Sequence, residues 1–479
     1  MKVIQDILKR EFISQIISLA KKRKLKIYLV GGFLRDAIVG RIANNIDLDF
    51  AVEKDAIALA REFAKKTKSG YVILDREHGC ARVIYKDCTL DFTDFRGKDL
   101  KDDLLHRDFT INTLALELPV KKDINKSLID YYGAIDDINK KIIRVTSIDS
   151  FKDDHLRVLR TFSMSAIFKF QIDKKTITLA KKYRDKLLEV AGERLRDELF
   201  KILDVDNTTE HIKFMDKVGV LSRVIPQIEL MRSIKQGGYH HLDVWQHSIE
   251  ALRQYELFLK EIDADKELNV YLDEKMAGER KRRQLIKLVC LLHDIGKPDA
   301  KLRKEGKTIF HGHERIGKDI SEAVSDRLKL STKEKLAIDT MIFWHLRPGY
   351  LGDNKNVTER AKFRYFRDTE DEAIAILLLS ISDQRATRGP LADPRSRIKH
   401  EKVAFELIGE YFRKKKEKKF VRLIGGNDLI KELKLTPSPL FKDILREIEE
   451  AQAEGSIKTR KDALELAKKI NEAQTYGKK

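Results

Sequence analysis

Two aspartates, Asp47 and Asp49, are separated by one leucine at the start of a predicted strand. Because side chains alternate along a strand, residues two apart face the same way, and both carboxylates project together. Two like charges at this spacing are unfavourable unless a divalent cation lies between them. Mg²⁺ held by carboxylates and substrate phosphates is common in phosphoryl transfer. The alternative is a solvent-facing acidic strand end. Asp91, on a later predicted strand, is a candidate third carboxylate.

A pair of glycines, Gly31 and Gly32, lies between a predicted strand and a predicted helix that carries Arg35 and Asp36. Glycine lets the backbone approach a phosphate closely, and the N–H groups at the start of a helix point at it. Such a turn is often only structural. Together with the paired aspartates, however, it predicts a cradle for a nucleotide and Mg²⁺.

Seven of the twelve histidines lie between His240 and His345, and among them His293 and Asp294 are adjacent. Imidazole and carboxylate are suitable ligands for Mn²⁺, Ni²⁺ or Mg²⁺, whereas a lone histidine is more often structural. The pattern resembles the H…HD…D arrangement of HD phosphohydrolases. This resemblance implies a second site for Mg²⁺ or a divalent transition metal. Its core ligands are His247, His293, Asp294 and Asp383, with His313 and His345 as further candidates and His311 as an alternative to His313.

The elements that must position these residues differ between the two parts of the chain. A helical pattern occurs at Ala56–Thr67, and from about Ser150 onward the strand signal disappears and apolar residues recur at helical spacing. The sequence therefore predicts an α+β protein with a mixed-sheet N-terminal domain and a helical remainder. The predicted strands are Lys26–Val30, Leu48–Val52, Tyr71–Leu74, Ala81–Tyr85, Thr89–Phe95 and Thr110–Leu118.

Length and composition narrow the class of protein. The chain has 479 residues, 42% of them hydrophobic, which excludes a disordered or small disulfide-stapled protein. Its 96 Lys and Arg against 77 Asp and Glu leave +19, which predicts a polyanionic partner. No apolar run approaches the ~20 residues that span a bilayer, so we expect no membrane association. The absence of a signal-peptide pattern and three cysteines without metal-site spacing favour a cytoplasmic protein.

Five segments in order resemble one enzyme family. LVGGFLRD followed by IDLDF resembles the head signature of the class II (bacterial-type) tRNA nucleotidyltransferases, the CCA-adding enzymes, and of their poly(A) polymerase relatives. The resemblance implies a polymerase-β-like head, a helical neck, an HD body and a tail that binds tRNA. The later segments that carry it are HRDFTINTLAL (106–116), DYYGAIDDINKKIIR (130–144), DDHLRVLR (153–160) and GERLRDEL (192–199).

The same resemblance implies domain bounds, substrates and residue roles. We expect the head at 1–147, the neck at 148–232, the HD domain at 233–400 and the tail at 401–479. The expected substrates are tRNA, CTP and ATP, and the expected cofactor of the head is Mg²⁺. The catalytic residues would be Asp47, Asp49 and Asp91, and the nucleotide would be bound by Gly31, Gly32, Arg35, Asp36, Arg107, Asp108, Asn112, Asp154, Arg157 and Arg160.

Asp154 and Arg157 are three residues apart, so on one helix they would share a face, and a simple intrahelical ion pair is the plainest interpretation. The alternative uses hydrogen-bond direction. A carboxylate that accepts from an exocyclic amine, beside a guanidinium that donates to a ring nitrogen, would accept C and A and reject U and G. The resemblance assigns this selecting role to the pair.

Departures from the family pattern bear on the subtype. His106 and Ser163 stand where the family has arginines. Only nine residues, Gly97–Leu105, separate Arg96 from His106, where full CCA-adding relatives carry a longer flexible loop. In the family that loop is associated with switching the pocket from C to A, and enzymes that add only CC tend to lack it. CC-addition and full CCA-addition both remain open.

We therefore predict a tRNA nucleotidyltransferase, with HD phosphohydrolase activity as a second expectation. The competing interpretations are a poly(A) polymerase that acts on RNA 3′ ends and an HD phosphohydrolase with a vestigial head. Two charged segments are also open to interpretation. Glu261–Arg283 is polar and is predicted as an exposed insertion or a mobile loop, and the basic run Arg413–Arg422 is either a solvated helix face or a phosphate contact.

Overall fold

The computed structural model describes residues 2–41, 46–121, 123–305, 307–353, 357–416 and 420–476. The chain forms two compact units, Met1–Val205 with Lys213–Val224, and Asp206–Ile212 with Ile225–Lys479. None of the described helices has the length and apolar character needed to cross a bilayer. The fold is α+β, as the sequence predicts, with its only large sheet near the N-terminus of the described chain.

The first unit contains a seven-stranded mixed sheet with the strand order β3-β4-β5-β2-β1-β6-β7. β2 and β5 pair in parallel, and the other neighbouring strands are antiparallel. The strands are β1 (Ile27–Val30), β2 (Ile46–Val52), β3 (Gly70–Asp75), β4 (Cys80–Tyr85), β5 (Cys88–Asp94), β6 (Ala115–Leu118) and β7 (Leu128–Ile129).

One face of this sheet is covered by helices. Leu48 and Phe50 of β2 are buried there, and the Phe50 ring stacks on Phe92 of β5 at 5.0 Å. Phe63 packs its ring against Phe92 from the helical layer, so the hydrophobic core leaves the carboxylates of β2 for the opposite face. The helices of this part are α1 (Lys2–Leu8), α2 (Glu11–Lys22), α3 (Gly32–Val39), α4 (Ala56–Thr67), α5 (Leu100–Leu105), α6 (Ile124–Ser127) and α7 (Ala134–Asn139).

The rest of the first unit is mainly helical. A short parallel pair, β8 (Ile142–Ile143) and β9 (Gln171–Ile172), ties the helices to the end of the sheet region. The helices are α8 (Ser150–Asp153), α9 (Leu156–Phe168), α10 (Lys174–Tyr183), α11 (Gly192–Leu203), α12 (Thr208–Val218), of which only the C-terminal part belongs to this unit, and α13 (Leu221–Val224).

The second unit is built around α22, whose apolar run Ala373–Ile381 is buried throughout. Two small hairpins accompany the helices, formed by β10 (Lys275–Ala277) with β11 (Arg280–Lys281) and by β12 (Leu302–Lys304) with β13 (Lys307–Ile309). The helices are α14 (Val244–Glu261), α15 (Lys266–Leu272), α16 (Arg282–Leu292), α17 (Lys297–Ala300), α18 (His313–Arg327), α19 (Thr332–Trp344), α20 (Arg347–Asp353), α21 (Glu359–Thr369), α22 (Ala373–Ala386), α23 (Pro394–Lys416), α24 (Gly426–Leu433), α25 (Leu440–Ala453) and α26 (Arg460–Tyr476).

Several predictions about elements were wrong. The predicted strand Thr110–Leu118 is a strand only at its end, because Thr110–Asn112 forms a 3₁₀ turn that directs its polar side chains inward. The strand signal also does not disappear after Ser150, since β9 to β13 follow; strands of two or three residues are too short to show a period-2 pattern.

The prediction of an exposed insertion at Glu261–Arg283 was also wrong. This segment forms α15 and the β10–β11 hairpin, and the Arg282 side chain at its end is almost completely buried. Arg282 donates to Glu372 and, at 2.8 Å, to Glu274, and its guanidinium lies 4.5 Å from the Tyr271 ring. A buried arginine is tolerated because both charge and planar surface are matched.

Candidate active site

Asp47 and Asp49 lie on one face of β2, and Leu48 between them is buried on the other. The strand register places Asp49 opposite Asp91 of β5 and opposite Val30 of β1. Asp47 and Asp49 line a cleft of about 1030 Å³ in the first unit. The predicted pair of carboxylates is therefore present, directly beside the turn that follows β1.

That turn requires glycine at Gly31. Its φ is +79°, and a Cβ atom there would lie 2.6 Å from Nη1 of Arg107 and 2.8 Å from Oδ2 of Asp49. Gly32 begins α3 and lines the same cleft. The first N–H groups of α3 have no partner within the helix, so an anion in the cleft would accept from them.

Asp91 is held by an arginine that the sequence analysis missed. Arg82 of β4 lies directly opposite and donates from Nε and Nη2 to the two oxygens of Asp91, each at 2.8 Å. A bidentate pair of this kind neutralises the carboxylate. Cross-strand register creates the contact, and no local pattern in the sequence signals it. Of the three predicted carboxylates, Asp47 and Asp49 are therefore the two that are left to bind a cation.

The electrostatics of this pair fit a divalent cation. Burial raises the pKa of Asp49 to about 6; Arg107 opposes the rise, and Asp47 and Asp91 add to it. Burial also raises the pKa of Asp47, and Asp91 contributes. Negative charge is thus unfavourable here without a counter-ion, and carboxylate oxygens are the ligands that Mg²⁺ prefers.

Two arginines present buried donors to the cleft. Nε of Arg107 and Nε of Arg160 find no hydrogen-bond partner among the described residues. Their nearest carboxylate oxygens are those of Asp103, 4.0 Å from Arg107, and of Asp108, 3.4 Å from Arg160. An unsatisfied buried donor costs about 1–3 kcal/mol. Both groups therefore fit an anionic ligand such as a triphosphate, which would accept from them.

The other predicted nucleotide-binding residues form one polar network. Arg35 donates to Asp36 from Nε at 2.8 Å and from Nη2 at 3.0 Å, and to Asn112 from Nη1. Asn112 donates to Asp108 at 2.7 Å. Although burial opposes its charge, Arg160 and Asn112 keep the pKa of Asp108 below its usual value. The network thereby places Asp108, as a carboxylate, against Arg160.

The expectation that Asp154 and Arg157 share a helix face was wrong, and of the two open interpretations the intrahelical ion pair does not form. α9 begins at Leu156, and Asp154 precedes it in an extended conformation. Its Oδ1 accepts from the N–H of Leu156 at 3.1 Å, a common role for aspartate before a helix. Its ion-pair partner is Arg194 of GERLRDEL, which donates from Nη1 at 3.1 Å and from Nη2 at 2.7 Å. Both Asp154 and Arg157 still line the cleft.

Arg157 is anchored by backbone on both sides. Its Nη2 donates to the carbonyl oxygen of His106 at 2.7 Å, and Nη1 donates to the carbonyl and hydroxyl oxygens of Ser150, each at 3.1 Å. The imidazole of His106 also faces Asp153, with Nδ1 3.4 Å from Oδ2. His106, which directly follows the short connection Gly97–Leu105, thus holds the predicted selecting arginine.

The connection Gly97–Leu105 is itself compact. Asp99 caps α5 by accepting from the N–H of Asp102 at 2.9 Å. Asp103 accepts from the N–H of Arg96 at 3.1 Å, across the start of the connection. A Cβ atom on Gly97 would lie 2.3 Å from Asp102, so the turn is tight. These nine residues therefore form a compact segment that is held by its own hydrogen bonds.

Ser163, which stands where the family has an arginine, does not face the cleft. Its hydroxyl donates to Glu198 of α11, and both side chains are buried. Glu198 also lies 3.9 Å from Nε of Arg160. The substitution therefore joins α9 to α11 and removes one cationic group from the region of the cleft.

The second unit contains a separate cluster in which all the predicted HD ligands meet. Asp294 lies at its centre, with Oδ2 3.3 Å from Nε2 of His293 and Oδ1 3.3 Å from Nε2 of His313. The alternative ligand His311 belongs to neither group of the cluster. In each group three ligand atoms lie within 4.8 Å of one another; the groups are His247, His293 and Asp383, and Asp294, His313 and His345.

Three of these imidazoles are oriented for coordination by backbone carbonyls. Nδ1 of His293 donates to Cys290 at 2.9 Å, Nδ1 of His313 donates to Phe310 at 2.8 Å, and Nδ1 of His345 has a carbonyl partner as well. Because a carbonyl only accepts, each ring turns Nε2 toward the cluster. This is the usual arrangement of metal-binding histidines.

The charges of the cluster also fit cations. Burial lowers the pKa of His345 to about 3, so this ring is neutral and its lone pair is available. Burial opposes charge on Asp294, but His293 and Lys297 hold its pKa well below the usual range. Buried Nε2 of His293 has no hydrogen bond to any described residue. The six side chains suit two divalent cations, one at each group.

Lys297 and Gln236 belong to this cluster and were missed from the sequence. Nζ of Lys297 donates to Asp294 and to Gln236, each at 2.6 Å. Lys297 lies three residues after Asp294, across the turn between α16 and α17, so its proximity in sequence was the one signal. Gln236 carried none. His240 packs its ring 4.8 Å from that of His247.

Comparison with known families matches each part of the chain in order. The family models that match are those described as Poly A polymerase head domain at residues 27–144, Probable RNA and SrmB- binding site of polymerase A at 169–231, HD domain at 244–384, and tRNA nucleotidyltransferase domain 2 putative at 411–467. With the paired carboxylates and the histidine cluster, they define a nucleotidyltransferase that carries an HD domain.

Similar proteins extend over most of the chain. An A-adding tRNA nucleotidyltransferase of Deinococcus radiodurans is 29% identical over 446 residues, 91% of this chain and 93% of that protein. A CC-adding tRNA nucleotidyltransferase of Thermus thermophilus is 26% identical over 443 residues, 91% of each chain. The chain belongs to the family of class II (bacterial-type) tRNA nucleotidyltransferases and poly(A) polymerases.

The fold agrees with this membership. The solved structure of the Thermotoga maritima CCA-adding enzyme complexed with tRNA_CCA is 22% identical and has a TM-score of 0.62. The match covers 97% of this chain and 96% of that one. A structure of a CCA-adding enzyme with ATP has the same TM-score, 0.62, at 21% identity, and the match covers 94% of this chain and 91% of that one. The predicted fold class is therefore confirmed.

Proposed function

We propose that this chain is a tRNA nucleotidyltransferase that adds two cytidines from CTP to the 3′ end of tRNA. The 3′ hydroxyl oxygen attacks the α-phosphorus of CTP, the bond from that phosphorus to the bridging oxygen breaks, pyrophosphate leaves, and the hydroxyl proton passes to solvent. Asp47 and Asp49 would hold Mg²⁺, which in this chemistry neutralises the triphosphate and lowers the pKa of the hydroxyl. Arg107 and Arg160 would donate to the phosphates.

Selection of the base would rest on Asp154 and Arg157. The Asp154 carboxylate would accept from the exocyclic amine of cytosine, and the Arg157 guanidinium would donate to the ring nitrogen beside it. Arg194 and the His106 carbonyl orient these two groups from behind. Protein side chains would then take the place of a template strand.

One observation carries the CC subtype: the short connection Gly97–Leu105 leads directly into His106, whose carbonyl holds Arg157. In the family a longer loop here is associated with the switch from C to A. A compact nine-residue connection beside Arg157 supports a pocket with a single conformation, because movement of the guanidinium would break its hydrogen bond to the His106 carbonyl. Full CCA-addition requires a second conformation of the pocket, which accepts A.

A-addition is a second candidate, because the relative in Deinococcus radiodurans is named as A-adding and is slightly more similar than the CC-adding relative. A pocket with a single conformation is equally compatible with an enzyme that adds only A. In either case the chain would share tRNA maturation with a second enzyme that supplies the other nucleotide.

The test uses three tRNA substrates, ending at the discriminator base, after the first C and after the second C, each with CTP, ATP or both. Two cytidines on the first substrate, with no adenosine on any, support the proposal. A single adenosine only on the CC-ended tRNA supports A-addition, and a complete CCA end supports the full activity. An open-ended A tract on any RNA would identify a poly(A) polymerase. Asp49→Asn should abolish addition, whereas His293→Ala should not.

We further propose that the HD cluster hydrolyses phosphoesters. His247, His293 and Asp383 would hold one divalent cation and Asp294, His313 and His345 a second, and such cations would supply an activated water and polarise the phosphate. Water adds to phosphorus and the ester oxygen leaves as a free hydroxyl. Release of phosphate with Mn²⁺ or Ni²⁺, lost in His293→Ala and retained in Asp49→Asn, supports this activity.

The remaining parts of the chain would serve tRNA. We propose the division into head (1–147), neck (148–232), HD domain (233–400) and tail (401–479), with the tail contacting tRNA phosphates in the cytoplasm. The basic end of α23, Arg413–Lys416, is partly paired, since Lys414 lies 2.7 Å from Glu410. Residues 417–419 of the predicted basic run lie outside the described residues.

A further inference from the structure

A small cavity of about 190 Å³ adjoins the HD cluster in the second unit. It lies among α20, α22 and α23, and two of its lining residues, His345 and Asp383, are also members of the cluster. It is smaller than the ~300 Å³ at which sites for drug-sized ligands begin. A group of about the size of one sugar ring suits this space better than a complete nucleoside.

The cavity is the access route to the cluster. Asp383 has 16% of its side chain exposed, whereas the other five side chains have between 0 and 7%. Solvent therefore reaches the cluster mainly at Asp383, which lines the cavity. A phosphoester whose phosphate lies on the cluster must place its organic part in this space.

Apart from the two cluster residues, the wall of the cavity combines hydrogen-bonding side chains with Leu346 and two glycines. Ser380 and His400 are both buried, and Ser380 Oγ lies 3.1 Å from Nε2 of His400. Gln384 and Ser396 add further hydrogen-bonding groups. The described residues that line it include no lysine or arginine. A wall of this kind matches hydroxyl groups, and the phosphate charge would be matched by the cluster instead.

We propose that this cavity is a subsite that binds the ribose of a ribonucleoside phosphoester, such as the end of an RNA chain. The proposal rests on the proposed HD function for the position of the phosphate. Ser380, Gln384, Ser396 and His400 would hydrogen-bond the sugar hydroxyls. Tyr350, 62% exposed at the rim, would cover the side of the sugar that faces solvent.

Gly349 gives a way to fill the cavity without disturbing the fold. It lies in α20 and lines the cavity, and a Cβ atom on it would meet nothing within 4 Å. Gly349→Leu should therefore fold and occupy the space. The matched control is Gly409→Leu in α23, where a Cβ atom also meets nothing within 4 Å and which does not line the cavity.

Binding is measured by calorimetry on the full chain loaded with Mn²⁺, in an Asp47→Ala background that disables the head. The probes are ribose 5-phosphate and inorganic phosphate. The parent protein and Gly409→Leu should bind ribose 5-phosphate at least about tenfold more tightly than phosphate. Gly349→Leu should lose this preference while still binding Mn²⁺ and phosphate.

Equal affinity for the two probes in the parent protein, or an unchanged preference in Gly349→Leu, overturns the subsite. His293→Ala should lose binding of both probes; retained binding there would place the probes elsewhere and also overturn it. A preference for ribose 5-phosphate without hydrolysis of any phosphoester supports the subsite and counts only against the proposed HD activity.

Discussion

Asp49→Asn should stabilise the first unit at the same time as it abolishes nucleotide addition. In the folded protein the pKa of Asp49 is raised from 3.8 to about 6, mainly by burial. At about 1.4 kcal/mol for each pH unit, this rise corresponds to at most about 3 kcal/mol. Asparagine has nearly the same shape and no charge, so it removes the cost of burying the carboxylate.

The effect has a definite pH dependence. Because the pKa is higher in the folded state, the folded state binds the proton more tightly, and this contribution to stability is complete below pH 3.8 and lost as the pH rises through 6. At pH 8 the wild type therefore carries the full cost. At pH 4.5 Asp49 is mostly protonated in the folded state but still mostly ionised in the unfolded state, so the difference from Asp49→Asn should fall to about a third of its value at pH 8.

The assay is calorimetric unfolding of both proteins in EDTA at pH 8 and pH 4.5, and again at pH 8 with Mg²⁺. At about 2–4 °C per kcal/mol for a unit of this size, the variant should unfold at most about 12 °C higher at pH 8. Mg²⁺ should raise the unfolding temperature of the wild type and leave that of the variant nearly unchanged. An equal gain at both pH values, or no gain at pH 8, would refute the electrostatic reasoning.

Two further outcomes follow from single contacts, and a third from the basic charge of the chain. Arg194→Ala should lower kcat/KM for CTP about tenfold and raise incorporation of UTP in single-nucleotide assays, because Asp154 loses its bidentate partner. Glu372→Ala should destabilise the second unit to urea by about 3–5 kcal/mol, since it leaves the buried Arg282 without this acceptor, whereas Glu274→Ala, at a more exposed carboxylate on the same arginine, should cost under about 1 kcal/mol. Raising KCl from ~50 to ~200 mM should weaken tRNA binding at least about tenfold in filter binding and leave the KM for CTP nearly unchanged, because only tRNA binding depends on many phosphate contacts.

Much of the head could be predicted because its signals are local. The placement of Asp47 and Asp49 on one face follows from alternation along a strand, and the need for glycine at Gly31 follows from a strand that turns directly into a helix. The histidine cluster was also predictable in composition, since its members share a ligand chemistry even where they are far apart in sequence.

The errors share a physical cause. Arg82 was missed and Asp154 was given the wrong partner because ion pairs between distant residues depend on strand register and helix packing. Arg282 was predicted to be exposed because its buried partner Glu372 is 90 residues away. Charge and spacing in a sequence do not show which counter-charge the fold will supply.

By itself, the sequence determined the chemistry of this protein: two carboxylates beside a glycine turn, a set of histidines and aspartates, and a net charge of +19. These depend on residue type and short-range geometry, which the chain carries wherever it folds. Only the tertiary structure decided which of those groups pair with each other through ion pairs and hydrogen bonds. Asp91 is held by Arg82, and Arg157 is tied to the carbonyl of His106. These contacts join residues that are distant in sequence. They determine how many carboxylates are left to bind a cation and how freely the selecting arginine can move.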